Sequence, residues 1–225
     1  MDKLDDFKIL EEKHERILTP EKLYIFRLDG ANFRRLTKQF DKPFSFDFVD
    51  CMSLAAQTVS LVIPNYLLIY GASDEISIVA SGARQAPYGG RLNKLLPILS
   101  SHATAGFLSG MGDKIGIPAF DARVIEVDSP GDILDYISWR RLNTRKNAIS
   151  MAVESLHSPG ELENVSLADR AFLLQGTHLE TLDETIFNGF FLRGEKIVPA
   201  TRKEAEIICE EAAARHKLYQ ETKKQ

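Results

Sequence analysis

Two aspartates and the runs that carry them hold the chemistry this chain can do. Asp29 ends the run Tyr24-Ile25-Phe26-Arg27-Leu28-Asp29-Gly30, and Asp74 sits inside Tyr66-Leu67-Leu68-Ile69-Tyr70-Gly71-Ala72-Ser73-Asp74-Glu75-Ile76-Ser77-Ile78. A carboxylate at the carboxyl end of a buried strand stands where open sheets with helical crossovers place their ligands. Two such carboxylates supply the hard oxygen donors that a pair of Mg²⁺ ions prefers, leaving positions for phosphate oxygens and water. A metal pair held this way lowers the pKa of an attacking hydroxyl and neutralises a leaving group, as nucleotidyl transfer requires. Taken singly, Asp29-Gly30 reads as ordinary turn chemistry and Asp74-Glu75 as a polar hairpin tip. The metal reading needs the fold to bring the two together.

The elements that must do so are legible as hydrophobic patterns. Residues 23 to 28 read as a buried strand, preceded by Pro20-Glu21-Lys22 and punctuated by Gly30. Asn32 is placed to cap a helix carrying Phe33, Leu36 and Phe40 at helical spacing. Residues 45 to 63 form a second helical pattern that Pro64 ends. A hairpin follows, with strands over 66–70 and 75–80 and a turn at Gly71-Ala72-Ser73-Asp74. After Pro87-Tyr88-Gly89-Gly90, an apolar helix runs from about 91 to 111, and residues 118 to 127 read as a fourth strand. The plan is α+β, a β-α-β-β-α-β arrangement with an antiparallel sheet and a helical C-terminal extension. With a right-handed crossover, and the hairpin's second strand between its first and strand one, Asp29 meets Asp74.

The flanks are less eventful. Residues 2 to 17 form a charged amphipathic helix expected to pack against the body. A helix begins after Asp128-Ser129-Pro130, a short helix is expected near 166–174, a hairpin over 190–198, and a helix from 203 to 217 that ends in a basic tail. With no repeat or clean linker, the chain divides into a catalytic domain with its N-terminal helix, 1–155, and an extension packed on it, 156–225.

Cations cluster in three places. Arg34, Arg35, Lys38 and Lys42 follow the first strand and could bind a triphosphate, or simply form a solvated helix face. Arg91 and Lys94 occupy the first turn of a helix, where the dipole disfavours cations unless an anion is bound. Arg140, Arg141, Arg145 and Lys146 lie beside the single tryptophan, Trp139, and form the densest basic patch. That patch is a candidate for a nucleic-acid backbone; the alternative puts Trp139 in the core and its cations in solvent.

Composition narrows the classes. Hydrophobic residues make up 44% and charged residues 27%, as in a globular protein, and no run nears the ~18 apolar residues of a membrane span. The first residues lack signal-peptide character, so a cytoplasmic location is expected. Cys51 and Cys209 lack the spacing of a zinc site or disulfide framework. The net charge of −4 excludes a global attraction to nucleic acid, leaving only local patches.

Four ordered blocks, Arg27-Leu28-Asp29-Gly30-Ala31-Asn32-Phe33, Tyr70-Gly71-Ala72-Ser73-Asp74-Glu75-Ile76-Ser77, Phe120-Asp121-Ala122-Arg123-Val124, and Ser138-Trp139-Arg140 with Arg145-Lys146-Asn147, resemble the tRNA-histidine guanylyltransferase superfamily. The resemblance implies a polymerase-like palm, two Mg²⁺ ions, ATP and GTP as substrates, tRNA as partner and a homotetramer. It implies a 3′-to-5′ nucleotidyltransferase, in which the 3′ hydroxyl of an incoming nucleotide attacks an activated tRNA 5′ end. Asp29 and Asp74 match the metal-binding carboxylates, Gly30 the carbonyl ligand, and Glu75 the acidic neighbour counted with the catalytic group. Arg34, Lys42, Ser73, Arg91 and Lys94 match triphosphate contacts, and Arg140, Arg141, Arg145, Lys146 and Asn147 fall in the RNA-binding block.

The eukaryotic branch carries a His-x-Asn-Asn-type segment after that block. Here Thr144-Arg145-Lys146-Asn147-Ala148-Ile149 keeps Asn147 without the His, which resembles the like-protein branch that repairs truncated tRNA 5′ ends. Asn143 and Lys146 stand where Asp and Arg are expected. Guanosine addition specific to histidine tRNA, a palm-type cyclase or transferase with another acceptor, and a non-catalytic RNA-binding relative are the alternatives.

Overall fold

The structure is a computed structural model that describes residues 3–82 and 86–221. The expected helix start at Asp2 and the basic tail beyond 221 lie outside the described residues. A six-stranded antiparallel sheet in the order β4-β1-β3-β2-β5-β6 organises the chain. Its strands are β1 (Leu23–Gly30), β2 (Leu68–Ala72), β3 (Glu75–Ser81), β4 (Phe120–Val127), β5 (Phe190–Arg193) and β6 (Lys196–Pro199). The first four reproduce the expected ferredoxin-like order, with β3 between β2 and β1.

Alternation along β1 sorts the core into two layers. Tyr24, Phe26 and Leu28 are buried in one cluster with α3 (Phe46–Val62) and α4 (Leu92–Gly110). Leu23 and Ile25 join the other, beneath α5 (Pro130–Leu156) and α8 (Arg202–Glu221). The same parity puts Arg27 and Asp29 on the α5 face. Ser129 and Asp132 close a reciprocal capping box that starts α5. At 27 residues the helix is roughly 40 Å long, which carries it past the end of the sheet. A third cluster joins the later turns of α5 to α6 (Leu167–Leu173) and α7 (Glu184–Asn188) through Val153, Leu162, Leu174 and Phe187.

Three local expectations are corrected. α1 (Lys3–Glu12) ends five residues early, and residues 6 to 12 are exposed rather than packed on the body. Its apolar stripe is too sparse among acidic neighbours to recruit a partner within the chain, and Ile17 instead bridges Arg91. Asn32 gives no side-chain cap to α2 (Phe33–Leu36); it takes a left-handed backbone with φ of 60°. The helical pattern through Phe40 breaks into that single turn and a 3-10 turn at Thr37–Gln39.

Gly71 and Ala72, expected in the hairpin turn, belong to β2. Gly71 is paired on both sides, with Ile76 on β3 and Phe190 on β5. A Cβ at this position would lie 2.3 Å from the Phe190 ring. Gly71→Ala is therefore expected to destabilise the fold by about 1–3 kcal/mol, the usual cost of overpacking, read as a lowered thermal midpoint.

Candidate active site

β1 lies between β3 and β4, so Asp29 at its end faces Glu75 on one neighbour and Asp121 on the other. Asp74 immediately precedes β3, and the Gly30 N–H donates to its carbonyl at 2.9 Å. The two carboxylates are thereby tied to adjacent strand ends. Burial pushes the Asp74 carboxyl above its ordinary value, and the negative charge of Asp29 adds to this shift. Ser73 Oγ donates to Asp74 Oδ1 at 3.2 Å from a residue with φ of 51°.

Two guanidiniums organise the acids around this pair. Arg27 Nη2 donates to Asp29 Oδ2 at 2.9 Å and to Glu75 Oε1 at 2.5 Å. Arg140, reaching across from α5, pairs with the other Glu75 oxygen. Burial, and then the like charge of Arg27, pushes the Arg140 guanidinium below its ordinary value. Arg27 Nε is buried with no hydrogen-bond partner. Sequence reasoning gave Arg27 no role. Its signal was a cation two residues before Asp29, hence on the same strand face, in an otherwise apolar run.

Beside these acids opens a cleft of about 400 Å³ between the segment after β1 and the later turns of α5. Arg34, Lys42, Ser73, Asp74, Glu75, Arg140 and Asn147 line it, with Phe44, Phe48, Met52, Ala148 and Met151 as apolar walls. Cations near the carboxylates and apolar side chains further in suit a phosphate chain and a base.

Several expected contacts do not converge here. Ile17 bridges Arg91, and Leu18 N–H donates to the Gly90 carbonyl, which puts Arg91 and Lys94 beside the start of β1. Asp29 lies at the far end of that strand, roughly 20 Å away. Within one chain, Arg91 and Lys94 do not reach the cleft. The basic patch on α5 also divides. Arg141 bonds the Ala200 carbonyl and approaches Asn188 Oδ1 at 3.5 Å, anchoring the C-terminal segment. Arg145 lies over the Phe187 ring at 5.2 Å, while Lys146 is exposed. Trp139 is not in the core, contrary to the structural alternative; its side chain is 51% exposed.

Among the described residues, no group of three or more His, Cys, Asp or Glu side chains is arranged to hold a metal. Asp29 and Asp74, held on adjacent strand ends, offer a sparser set of two carboxylates. That set fits Mg²⁺, which commonly takes one or two carboxylates and completes its shell with water and substrate phosphates.

The sheet order, the paired carboxylates and the cation-lined cleft define a palm-type α+β domain. Residues 4–128 match the family model Thg1, described as tRNAHis guanylyltransferase, and the chain belongs to that family. The tRNA(His) guanylyltransferase of Neurospora crassa is 26% identical over 88% of this chain and 75% of its own length. That of Schizosaccharomyces pombe is 30% identical over 60% of this chain. The chain spans only 55% of the S. pombe protein and 63% of a probable human relative. A bacterial Thg1-like protein solved in complex with ATP superposes with a TM-score of 0.85 at 25% identity, covering 94% of this chain and 99% of its own. The Saccharomyces cerevisiae enzyme shares the fold with a TM-score of 0.76 at 20% identity.

Proposed function

We propose that the chain is a metal-dependent 3′-to-5′ nucleotidyltransferase that adds nucleotides to the 5′ end of tRNA, in template-directed repair. The observation that carries this reading is the placement of Asp29 and Asp74 on adjacent strand ends, with Asp74 lining a cleft that also bears Arg34 and Lys42. Asp29, Asp74 and the Gly30 carbonyl would hold Mg²⁺, which supplies an acidified hydroxyl nucleophile and a neutralised leaving group. The chain's own part is positioning: Arg34 and Lys42 hold the phosphates of ATP or GTP, and Ser73 orients Asp74. The ATP complex of the bacterial relative supports nucleotide binding here. The missing His before Asn147 and the close superposition on that bacterial Thg1-like protein favour the repair branch over guanosine addition to histidine tRNA.

In the homotetramer that the resemblance implies, a second copy would have to supply Arg91 and Lys94 to a cleft. No helix among the described residues is long and apolar enough to cross a membrane.

The test uses purified protein, Mg²⁺, ATP, GTP and a 5′-monophosphorylated tRNA lacking its first nucleotide. Labelled nucleotide should appear opposite the template base and nowhere else. Triphosphate binding without addition to any RNA end would retain the palm and remove the tRNA claim. A second expectation follows from the raised Asp74 pKa. Because the metal takes the carboxylate form, its affinity should fall as pH drops through a range above that of an ordinary aspartate, with protons released on binding. Mn²⁺ titrations at stepped pH check the sign. An affinity flat until the ordinary carboxylate range would remove Asp74 from the ligand set.

A further inference from the structure

Trp139 is the one large aromatic side chain of α5 that faces solvent, and its surroundings do not explain its exposure. Asp135, Trp139, Leu142 and Lys146 are exposed at helical spacing and form the outer face of α5. The Arg140 guanidinium lies 4.9 Å from the Trp139 ring centroid, and the Tyr136 ring is tilted against it at 6.0 Å. Tyr136 is itself fixed by a 2.8 Å hydrogen bond between its hydroxyl and Ser77 Oγ on β3. Arg140 also pairs with Glu75, which shares Arg27 with Asp29. The indole is therefore held in place, half open, by a relay of contacts that starts at a metal-ligand candidate.

Trp139 is absent from the lining of the nucleotide-sized cleft, whereas its neighbour Arg140 is part of it. The base of a triphosphate in that cleft has its own apolar walls in Phe44, Ala148 and Met151. We infer that Trp139 is a stacking platform for the open base face at the end of the acceptor RNA duplex. Bases inside a duplex offer only their edges, and an end base offers a whole π face. A fixed indole backed by a guanidinium suits such a face. Lys146, two turns further along the same helix face, is spaced to meet the phosphate backbone of the same strand. This assignment rests on the reading of the chain as an RNA 5′-end transferase and adds to it the contact that sets the acceptor end beside Asp29.

Trp139 is the single tryptophan of the chain, so its fluorescence reports the contact directly. The probe is a 5′-monophosphorylated RNA hairpin of acceptor-stem length lacking its first nucleotide, with RNA binding measured separately by filter retention. The hairpin should quench the emission, whereas Mg²⁺-GTP alone, and the same RNA closed at both ends by loops, should not. Trp139→Ala should weaken hairpin binding about tenfold or more with GTP affinity unchanged, and Trp139→Phe should restore part of it. Quenching by GTP alone would assign the ring to the triphosphate base. Retained hairpin with unchanged emission and an unchanged alanine variant would remove the contact. A change in sedimentation without a change in hairpin affinity would assign the ring to a second copy of the chain. If filter retention detects no RNA binding at all, the transferase reading fails, and the stacking contact fails with it.

Discussion

Replacing Asp29 with alanine is expected to slow nucleotide addition by about a thousandfold or more while leaving the thermal midpoint within a few degrees of wild type. The rate effect follows from losing a carboxylate that gathers positive charge where negative charge develops, a contribution of several kcal/mol in sites of this kind. The small stability effect follows from the local arrangement. Asp29 faces Asp121 on one strand and Glu75 on the other, and like charges directly across a sheet are destabilising. Its carboxylate accepts a hydrogen bond from Arg27, which keeps Glu75 after the change. Single-turnover addition to a truncated tRNA, with melting curves on the same preparation, separates the two quantities. Retained activity would remove Asp29 from the metal set. A collapse of the midpoint would make it a structural residue.

Glu75→Ala should behave differently, losing about 3 kcal/mol of stability along with activity. Each Glu75 oxygen is taken by a guanidinium, and all three side chains are largely buried. Removing the carboxylate leaves Arg27 and Arg140 close together without their shared counter-charge, and breaking a buried pair from one side commonly costs 3–5 kcal/mol. In a chain of this size the midpoint should fall by roughly 6–12 °C. Glu75→Gln, which keeps an acceptor oxygen, should lie between. Family resemblance groups Glu75 with the catalytic acids, while its observed contacts are with two arginines. An unchanged midpoint with a large fall in kcat would give Glu75 a direct part in the reaction.

The contrast between these two acids marks how far the sequence could be read. The palm strands followed from the apolar run of residues 23–28 and the alternation in 75–80, and their order from a right-handed crossover with the hairpin's second strand set beside strand one. Asp29 and Asp74 followed from strand ends, which the same patterns locate. The Arg27–Glu75–Arg140 network did not, since it joins side chains 48 and 65 residues apart along the chain. No local pattern encodes such a pairing. Asn32 and Gly71 misled for a related reason. Asn is both a helix cap and a residue that tolerates positive φ, and Gly is both a turn former and the one residue that admits a ring against a strand. Tertiary neighbours chose between those roles. α1 shows the opposite failure: its apolar stripe is too sparse to hold it on the body, and residues 6 to 12 are exposed.

The pairing of β2 with β5 also bears on the order in which the protein is made. By the time residue 127 has been synthesised, all four palm strands exist, but the outer edge of β2 has no neighbour until Phe190 and Phe191 emerge. At ribosomal speeds that interval lasts several seconds. Throughout it, the nascent palm presents an unpaired apolar edge, the kind of surface that recruits other chains. The late β5–β6 hairpin thus acts as a guard for an edge made early, and chaperone dependence should be greatest for products that stop before it.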